Sequence, residues 1–326
     1  MTCDITPVSP SVTVSTDDVR AAADRIAGHA RRTPVLTAAV DGRQVTLKLE
    51  HLQVTGSFKF RGALNALLAR PGDKEPRDKE PGGKEPGDEQ VVAASGGNHG
   101  AGVAAAARLL GRPATIYVPR GAPESKTRRI AALGADVVRH GDRYADAEAA
   151  ARTSVAGQGG TFVHPYNDPA VIAGQGTIAR EIAWQAPGCD TIVAAVGGGG
   201  LAAGICVGAG PGRTVVAAEP EHCNALHVAF AAGGPADAPV ESVAASALGA
   251  SRVGELPFAV LSGKGAELAL VTDEEIVAAR DRLWDELRLA VEPAAAVPFA
   301  AWLAGRVPGR HACLVLSGAN TGWAPA

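Results

Sequence analysis

The chain has 326 residues, enough for one large domain or two of moderate size. Apolar residues make up 46% and charged residues 20%, and the formal net charge is -3, so no strong field favours nucleic acid or an anionic membrane. Aromatic residues make up only 4%, which argues against a platform for stacked bases.

Short β-branched runs alternate along the chain with longer alanine-rich stretches of helical character. This alternation predicts parallel sheet covered by helices, an α/β fold. Several predicted strands are nearly all apolar, as expected where both faces are buried. The predicted strands are Gln44–Leu49, Gln90–Ala94, Ala114–Val118, Val137–Val138, Thr161–Val163, Thr191–Val196, Thr214–Ala218 and Ala312–Leu316. The predicted helices are Thr16–Arg32, Gly62–Leu68, His99–Leu110, Ser125–Leu133, Tyr144–Ala156, Pro169–Gln185, Gly200–Gly208, Asp273–Leu287 and Ala294–Ala304.

One segment, 71–89, differs in composition from the rest. It reads PGDKEPRDKEPGGKEPGDE and repeats Lys-Glu-Pro, with no apolar residue to bury. Its prolines interrupt helices and ladders, so we interpret it as a flexible, solvated insertion at a domain boundary. Docking of a partner is the alternative.

The cysteines and the N-terminus bear on the compartment. Five cysteines occur, an odd number without CxxC spacing, so we expect neither a disulfide framework nor a zinc site. The segment 1–20 does not resemble a signal peptide, and no apolar run reaches the ~18 residues of a membrane span. These features predict a cytoplasmic protein.

A lysine in the stretch Ser57-Phe58-Lys59-Phe60-Arg61-Gly62-Ala63 is the first candidate for chemistry. A lysine is ordinarily a solvated charge, but Lys59 lies between two phenylalanines in a stretch flanked by glycines. Desolvation weakens the preference of an amine for its charged form. Such an amine is available as a nucleophile and base, which an aldehyde cofactor requires.

Two glycine-rich turns follow predicted strands. Ser95-Gly96-Gly97-Asn98-His99-Gly100 follows the strand ending at Ala94, and Gly197-Gly198-Gly199-Gly200-Leu201 follows the strand ending at Val196. Glycines at a helix N-terminus expose backbone N–H groups to an anion, and four of them suit a phosphate. An ordinary capped turn and a mononucleotide loop are the alternatives, although neither GxGxxG nor GxxxxGK[ST] occurs.

The last strand is followed by Ser317-Gly318-Ala319-Asn320. A serine at a strand end is usually structural. If this hydroxyl met a ring nitrogen, it would be a neutral partner, because it is too weak an acid to hold a pyridinium.

Together, SFKFRGA, GGNHG, GGGGL and the terminal SGAN resemble one family in order and spacing: the fold-type II enzymes dependent on pyridoxal phosphate (PLP), specifically the serine/threonine dehydratase (threonine ammonia-lyase) and serine racemase group. His164-Pro165 and the segment 168–177 are similar to it as well. The resemblance covers 16–321 apart from the insertion. It implies two open, twisted α/β domains of the tryptophan synthase β-subunit-like architecture, and a homodimer.

The resemblance also implies a division of the chain and a set of site residues. A large PLP-binding domain would span 1–70 and 164–326, and a small substrate-loop domain would span 90–163. Lys59 would carry the cofactor as a Schiff base and then move the Cα proton. The implied cofactor-binding residues are Phe58, Lys59, Asn98, Gly197, Gly198, Gly199, Gly200, Leu201, Glu292 and Ser317, and the implied substrate-binding residues are Ser95, Gly96, Asn98 and His99.

The implied activity is that of a dehydratase. A serine partner leaves the ring nitrogen largely unprotonated, which favours loss of a β-leaving group over transamination. We expect removal of the β-hydroxyl and amino group of a hydroxy-amino acid, such as L-threonine or L-serine, to give a 2-oxo acid and ammonia. Racemases of the group carry a serine where this chain has Gly96, so racemisation should be weak.

Three alternatives remain: an amino-acid racemase, a β-replacement enzyme of the cysteine-synthase type, and a catalytically silent PLP-binding protein. Lys59-Phe60-Arg61 and Asn98-His99 argue against replacement, which goes with an acidic residue after the lysine and a threonine in place of the histidine. Retention of the motifs argues against a silent protein.

A magnesium site is doubtful. In relatives that bind Mg²⁺, a glutamate follows a strand and an aspartate completes the ligands. Glu219 matches the glutamate and Cys223 could supply a backbone carbonyl, but Ala225 stands in place of the aspartate. A hard cation needs more oxygen ligands than remain, so we expect no complete site.

Overall fold

The computed structural model describes residues 13–69 and 89–320. Its strands are β1 (Val35–Val40), β2 (Arg43–Lys48), β3 (Val91–Ala94), β4 (Ala114–Val118), β5 (Asp136–Arg139), β6 (Thr161–Phe162), β7 (Thr191–Ala195), β8 (Thr214–Pro220), β9 (Glu267–Val271) and β10 (Ala312–Val315). Its helices are α1 (Thr16–Ile26), α2 (Lys59–Leu68), α3 (Asn98–Leu109), α4 (Glu124–Ala132), α5 (Tyr144–Gln158), α6 (Pro169–Gln185), α7 (Gly200–Gly208), α8 (Ala225–Ala232), α9 (Ala245–Leu248), α10 (Glu255–Gly263), α11 (Asp273–Leu287) and α12 (Pro293–Leu303), with a 3-10 turn at Glu50–Leu52. The predicted insertion at 71–89 lies, apart from Glu89, outside the described residues.

The strands form two sheets, and the α/β prediction is confirmed. The six-stranded sheet has the order β1-β2-β10-β7-β8-β9, in which only the β1–β2 pair is antiparallel. The four-stranded sheet has the order β5-β4-β3-β6 and is parallel throughout. Carboxyl ends of parallel strands share one edge, so the turns after β7 and β10 lie side by side, where open α/β sheets bind ligands.

Both faces of the six-stranded sheet are buried. Ile192 and Ala194 of β7 belong to the core under α1, α6 and α7, whereas Val193 and Ala195 belong to the core under α11 and α12. Successive side chains of a strand point to opposite faces, so a strand buried on both sides is apolar at every position. The four-stranded sheet shares a third core with α2, α3 and part of α4.

Two predicted helix boundaries differ from the structure by three residues or more. Helix α1 ends at Ile26 rather than Arg32, because Gly28 takes a left-handed backbone, with φ 81°, that leads the chain away. Helix α2 begins at Lys59 rather than Gly62. By contrast, the predicted start of α11 is confirmed, because Thr272 Oγ1 accepts the N–H of Glu275 at 3.2 Å.

Helix α2 lies between α3 and α6, and it meets α3 through a glycine. A Cβ atom on Gly102 of α3 would lie 3.1 Å from the carbonyl carbon of Lys59 and 3.2 Å from the nitrogen of Phe60. That distance is tighter than ordinary van der Waals contact, so only glycine lets the two backbones approach this closely.

A buried arginine fixes α2 to the elements of the larger sheet. Arg61 is 1% exposed, and its Nε donates to Glu50 Oε2 at 2.8 Å. Its Nη1 donates to Glu181 Oε1 of α6 at 2.6 Å, and its Nη2 donates to the Arg31 carbonyl at 3.1 Å. A planar guanidinium with its donors distributed over three segments orients the helix that starts two residues earlier, at Lys59.

Candidate active site

The glycine-rich turn after β7 has no room for side chains. A Cβ atom on Gly198 would lie 2.2 Å from Cδ1 of Tyr166, and one on Gly200 would lie 2.9 Å from the Tyr166 Cα. Gly199 has φ 90° and immediately precedes α7. The first N–H groups of a helix have no partner within it, so this turn presents bare backbone donors suited to an anion such as phosphate.

The amine of Lys59 is hydrogen-bonded to the residue that precedes Tyr166. Its Nζ donates to the carbonyl oxygen of Pro165 at 2.7 Å and lies 5.2 Å from the centre of the Phe58 ring. Burial lowers the pKa of Lys59 to about 8. An appreciable fraction of this amine is therefore neutral near neutral pH, as the sequence argument for a nucleophilic lysine requires.

The turn between β3 and α3 brings the second motif into place. Ser95 Oγ accepts the N–H of Gly97 at 3.1 Å, so the hydroxyl folds back on its own turn. Asn98 opens α3, and its Nδ2 donates to Glu292 Oε1 at 2.7 Å while its Oδ1 is buried without a hydrogen-bond partner in the described structure. An orphaned buried acceptor of this kind is costly unless a ligand satisfies it.

His99 is directed into the fold rather than into the turn. Its Nε2 is 2.9 Å from the carbonyl oxygen of Val163, and the residue is 4% exposed. Burial, reinforced by the charge of Lys59, lowers the pKa of His99 to about 3. The ring is therefore neutral at physiological pH, and it donates through Nε2 to that carbonyl.

The last strand delivers Ser317 beside the lysine motif. The N–H of Phe58 donates to the Ser317 carbonyl at 3.1 Å, and Ser57 and Gly318 form an isolated bridge. A Cβ atom on Gly318 would lie 2.3 Å from Glu292 Oε1. Burial raises the pKa of Glu292. Phe58, Asn98, Glu292 and Ser317 are thus linked in one chain of contacts, with a further orphaned hydroxyl at Ser57.

Sequence reasoning missed several residues of this site. Tyr166 covers the glycine-rich turn, and the guanidinium of Arg129 on α4 donates to Asn320 Oδ1 at 2.5 Å and to the Thr55 carbonyl at 2.8 Å. Arg129 thereby links α4 to the segment before the lysine motif and to the segment after β10. The His164-Pro165 pair was the only signal near Tyr166, and nothing local marks Arg129.

The candidate metal ligand has another role in the structure. Glu219 Oε1 accepts the N–H of Leu226 at 2.8 Å and Glu219 Oε2 accepts the N–H of His227 at 2.9 Å, so the carboxylate caps α8. Burial raises the pKa of Glu219 to about 7. Across residues 13–69 and 89–320, no group of three or more His, Cys, Asp or Glu side chains could hold a metal ion.

The described part of the chain also contains no helix with the length and apolarity that a membrane crossing demands.

Comparisons with known proteins agree on one family. A family model described as "Pyridoxal-phosphate dependent enzyme" matches residues 10–318. The chain is 34% identical to a β-hydroxyaspartate dehydratase of Paracoccus denitrificans, over 93% of this chain and 95% of that one. It is 34% identical to a serine racemase of Arabidopsis thaliana, over 93% and 92%. The crystal structure of a threonine deaminase from T.th. superposes with a TM-score of 0.85 at 35% identity, covering 95% of this chain and all of that one.

Proposed function

The chain belongs to the pyridoxal-phosphate-dependent enzymes, in the fold-type II family of dehydratases and racemases, and on that basis we propose that it is a dehydratase of a small hydroxy-amino acid. It is a PLP-dependent lyase. The substrates we propose first are L-threonine and L-serine, converted to a 2-oxo acid and ammonia. Gly96 is the residue that leads us to propose elimination rather than racemisation, because a glycine has no side chain that could donate a proton to the second face of Cα.

The residues fit PLP. Gly198 and Gly200 leave backbone donors bare where a phosphate would rest, and Asn98 Oδ1 and Ser57 Oγ are buried polar atoms that await a partner. We propose that the turn Gly197–Gly200 and the N–H of Leu201 hold the phosphate. Lys59 would carry the cofactor covalently, Asn98 would bond the ring hydroxyl oxygen, Ser317 would meet the ring nitrogen, and Phe58 would pack against the ring.

When bound, PLP withdraws electrons from the substrate Cα, which weakens its C–H bond and eases loss of the β-substituent. Lys59 supplies the base at Cα. Its pKa near 8 leaves neutral amine available to take the Cα proton and lets the resulting ammonium release that proton again before the next cycle. The carbonyl of Pro165 orients that amine through its 2.7 Å hydrogen bond.

The turn 95–99 would hold the substrate carboxylate. Backbone N–H groups at the start of α3 favour an anion there through the positive end of the helix dipole. His99 contributes no positive charge, because its pKa is about 3. We therefore assign His99 to the rigidity of the turn, through its bond to the Val163 carbonyl, rather than to an ion pair with substrate.

The proposed function is tested by incubating the PLP-loaded protein with L-serine, L-threonine and 3-hydroxyaspartate and measuring 2-oxo acid. We expect product from at least one of them without any added nucleophile. Product that requires a thiol nucleophile would indicate β-replacement instead. Inversion of the substrate without 2-oxo acid would indicate a racemase, and cofactor binding without either reaction would indicate a silent protein.

Gly96→Ser should add racemisation. A Cβ atom on Gly96 would lie 3.4 Å from the Ala122 Cβ, an ordinary contact, so the position accepts a side chain. A hydroxyl there can protonate Cα from the second face, and a positioned proton donor is worth roughly a hundredfold or more in rate. We expect the ratio of racemisation to elimination to rise at least about tenfold, measured by chiral chromatography of the amino acid and assay of the 2-oxo acid.

Gly96→Ala is the matched control, since it adds the same Cβ without the hydroxyl. It should leave the ratio unchanged. Equal ratios in the Ser and Ala variants would show that other groups govern the second face.

A further inference from the structure

The turn after β6 is built on a histidine that accepts two hydrogen bonds. The N–H of Asn167 donates to His164 Nδ1 at 2.8 Å, and the N–H of Tyr166 donates to the same nitrogen at 3.2 Å. Accepting from residues two and three positions ahead is the pattern by which Asn and Asp side chains fix turns and cap helices. An imidazole in this role must keep Nδ1 unprotonated.

The surroundings of His164 maintain that neutral form. Burial is the main cause that lowers its pKa to about 4, so the Nδ1 lone pair is available throughout the physiological range. Its Nε2 lies 3.7 Å from Glu148 Oε1, and the imidazole stands edge-on to the Tyr166 ring at 4.8 Å. The charged and titratable groups that face His164 are Glu148 and Arg152 of α5, Lys59 of α2, His99 of α3 and Asp168 before α6.

The two residues within this turn both contact the candidate site. Pro165 accepts the hydrogen bond of Lys59 Nζ at 2.7 Å, and the ring of Tyr166 fills the space beside Gly198. Proline has no N–H of its own to fix its orientation, so the direction of the Pro165 carbonyl depends on the bonds made by the residues around it. The N–H groups of Tyr166 and Asn167 make those bonds, and both donate to His164 Nδ1.

We propose that His164 is a positioning residue, whose Nδ1 fixes the turn 164–167 so that the Pro165 carbonyl meets the Lys59 amine and the Tyr166 ring supports the phosphate-binding turn. The proposal rests on the proposed roles of Lys59 and of Gly197–Gly200. It assigns no chemistry to the imidazole itself, because its contacts reach the substrate side only through Pro165 and Tyr166.

The chain offers a matched pair of variants. His164→Asn keeps an acceptor at the right distance from the main chain for the same two N–H groups, whereas His164→Ala removes it. The full-length chain is freed of cofactor and titrated with PLP by fluorescence. The initial rate of cofactor attachment is followed as a function of pH from the visible absorbance, and kcat and KM are measured on the loaded protein.

In His164→Ala we expect PLP affinity to fall at least about tenfold, because neither the Pro165 carbonyl nor the Tyr166 ring is then held in position. Water admitted to the Lys59 amine should also shift the pH midpoint of attachment upward by about one unit, toward the ordinary lysine value. His164→Asn should stay within about threefold of the unaltered protein in affinity and should keep its pH midpoint. Glu148→Gln, which alters the partner of the other ring nitrogen and weakens the ion pair with Arg152 but leaves the Nδ1 acceptor intact, should behave like His164→Asn.

Unchanged PLP affinity and pH midpoint in His164→Ala would overturn the proposal. Equal losses in the Ala and Asn variants would overturn it as well, since the acceptor would then not be what matters. Circular dichroism and melting temperature identify a variant that fails to fold, in which case the Asn and Gln variants decide. If no hydroxy-amino acid gives 2-oxo acid even with the unaltered protein, the proposed function fails while the PLP comparison still decides the role of His164.

Discussion

Lys59→Ala should abolish covalent attachment of PLP and lower turnover by at least roughly a thousandfold, because the proposed function assigns both the attachment point and the base at Cα to this one side chain. Burial holds the pKa of the Lys59 amine near 8, and the amine donates to the Pro165 carbonyl at 2.7 Å. Attachment is measured by visible absorbance and by intact mass after borohydride reduction. Turnover is measured by 2-oxo acid formation from the best substrate of the panel.

Lys264→Ala provides the control, since Lys264 is an exposed lysine at the end of α10 and makes no contact with the site. It should retain the full mass increase and normal turnover. A Lys59→Ala protein that still gains the cofactor mass and turns over substrate at the normal rate would overturn the assignment of both roles.

Gly198→Ala should disable the phosphate-binding turn while leaving the lysine in place. The added methyl would lie 2.2–2.3 Å from three atoms of the Tyr166 ring, so either the ring or the turn must move. Overpacking of this kind costs about 1–3 kcal/mol. If that strain is paid on cofactor binding, PLP affinity falls roughly ten- to hundredfold. Fluorescence titration measures the affinity, and thermal melting without cofactor measures any loss of fold.

Gly157→Ala is the control for Gly198→Ala. A Cβ atom there would have no neighbour within 4 Å, and alanine suits a helix such as α5 better than glycine. Affinity should be unchanged. In a Tyr166→Ala background, Gly198→Ala should lower PLP affinity less than it does in the unaltered protein, because the methyl then has space. A Gly198→Ala protein with normal affinity would show that the phosphate does not bind at this turn.

The sequence predicts the central strands of the six-stranded sheet better than its edge strands. The central strands β7, β8 and β10 are buried on both faces, so they read as short apolar runs. The two strands that were missed, β1 and β9, are the edge strands of the six-stranded sheet, and their residues are only partly buried. An edge strand is stabilised largely by pairing with its one neighbouring strand, and a local sequence pattern does not show that pairing.

Within the candidate site, individual residues were predictable from the sequence but the contacts between them were not. Lys59 was predicted from its phenylalanine neighbours, Asn98 and the turn Gly197–Gly200 were predicted from residue types at strand-to-helix turns, and the family resemblance joined them. The pairings were not predictable. Asn98 bonds Glu292, which is 194 positions away, and Arg129 bonds Asn320 across 191 positions. The packing of the two sheets determines which of these distant residues meet. The sequence shows each residue of a pair but not that the two are in contact.

The contact at Gly102 has a consequence for motion. At that point α3 meets the main chain of α2 with no interlocking side chain, and small shear displacements between packed helices require few rotamer changes. Arg61 meanwhile holds α2 to Glu50 and Glu181 of the larger sheet. The buried side chains that α2 shares with α3 and the four-stranded sheet still couple these elements, so we expect only small displacements of that sheet relative to α2. The missing methyl group at Gly102 lowers the resistance to sliding at this one helix crossing, while the ion pairs of Arg61 fix the position of α2.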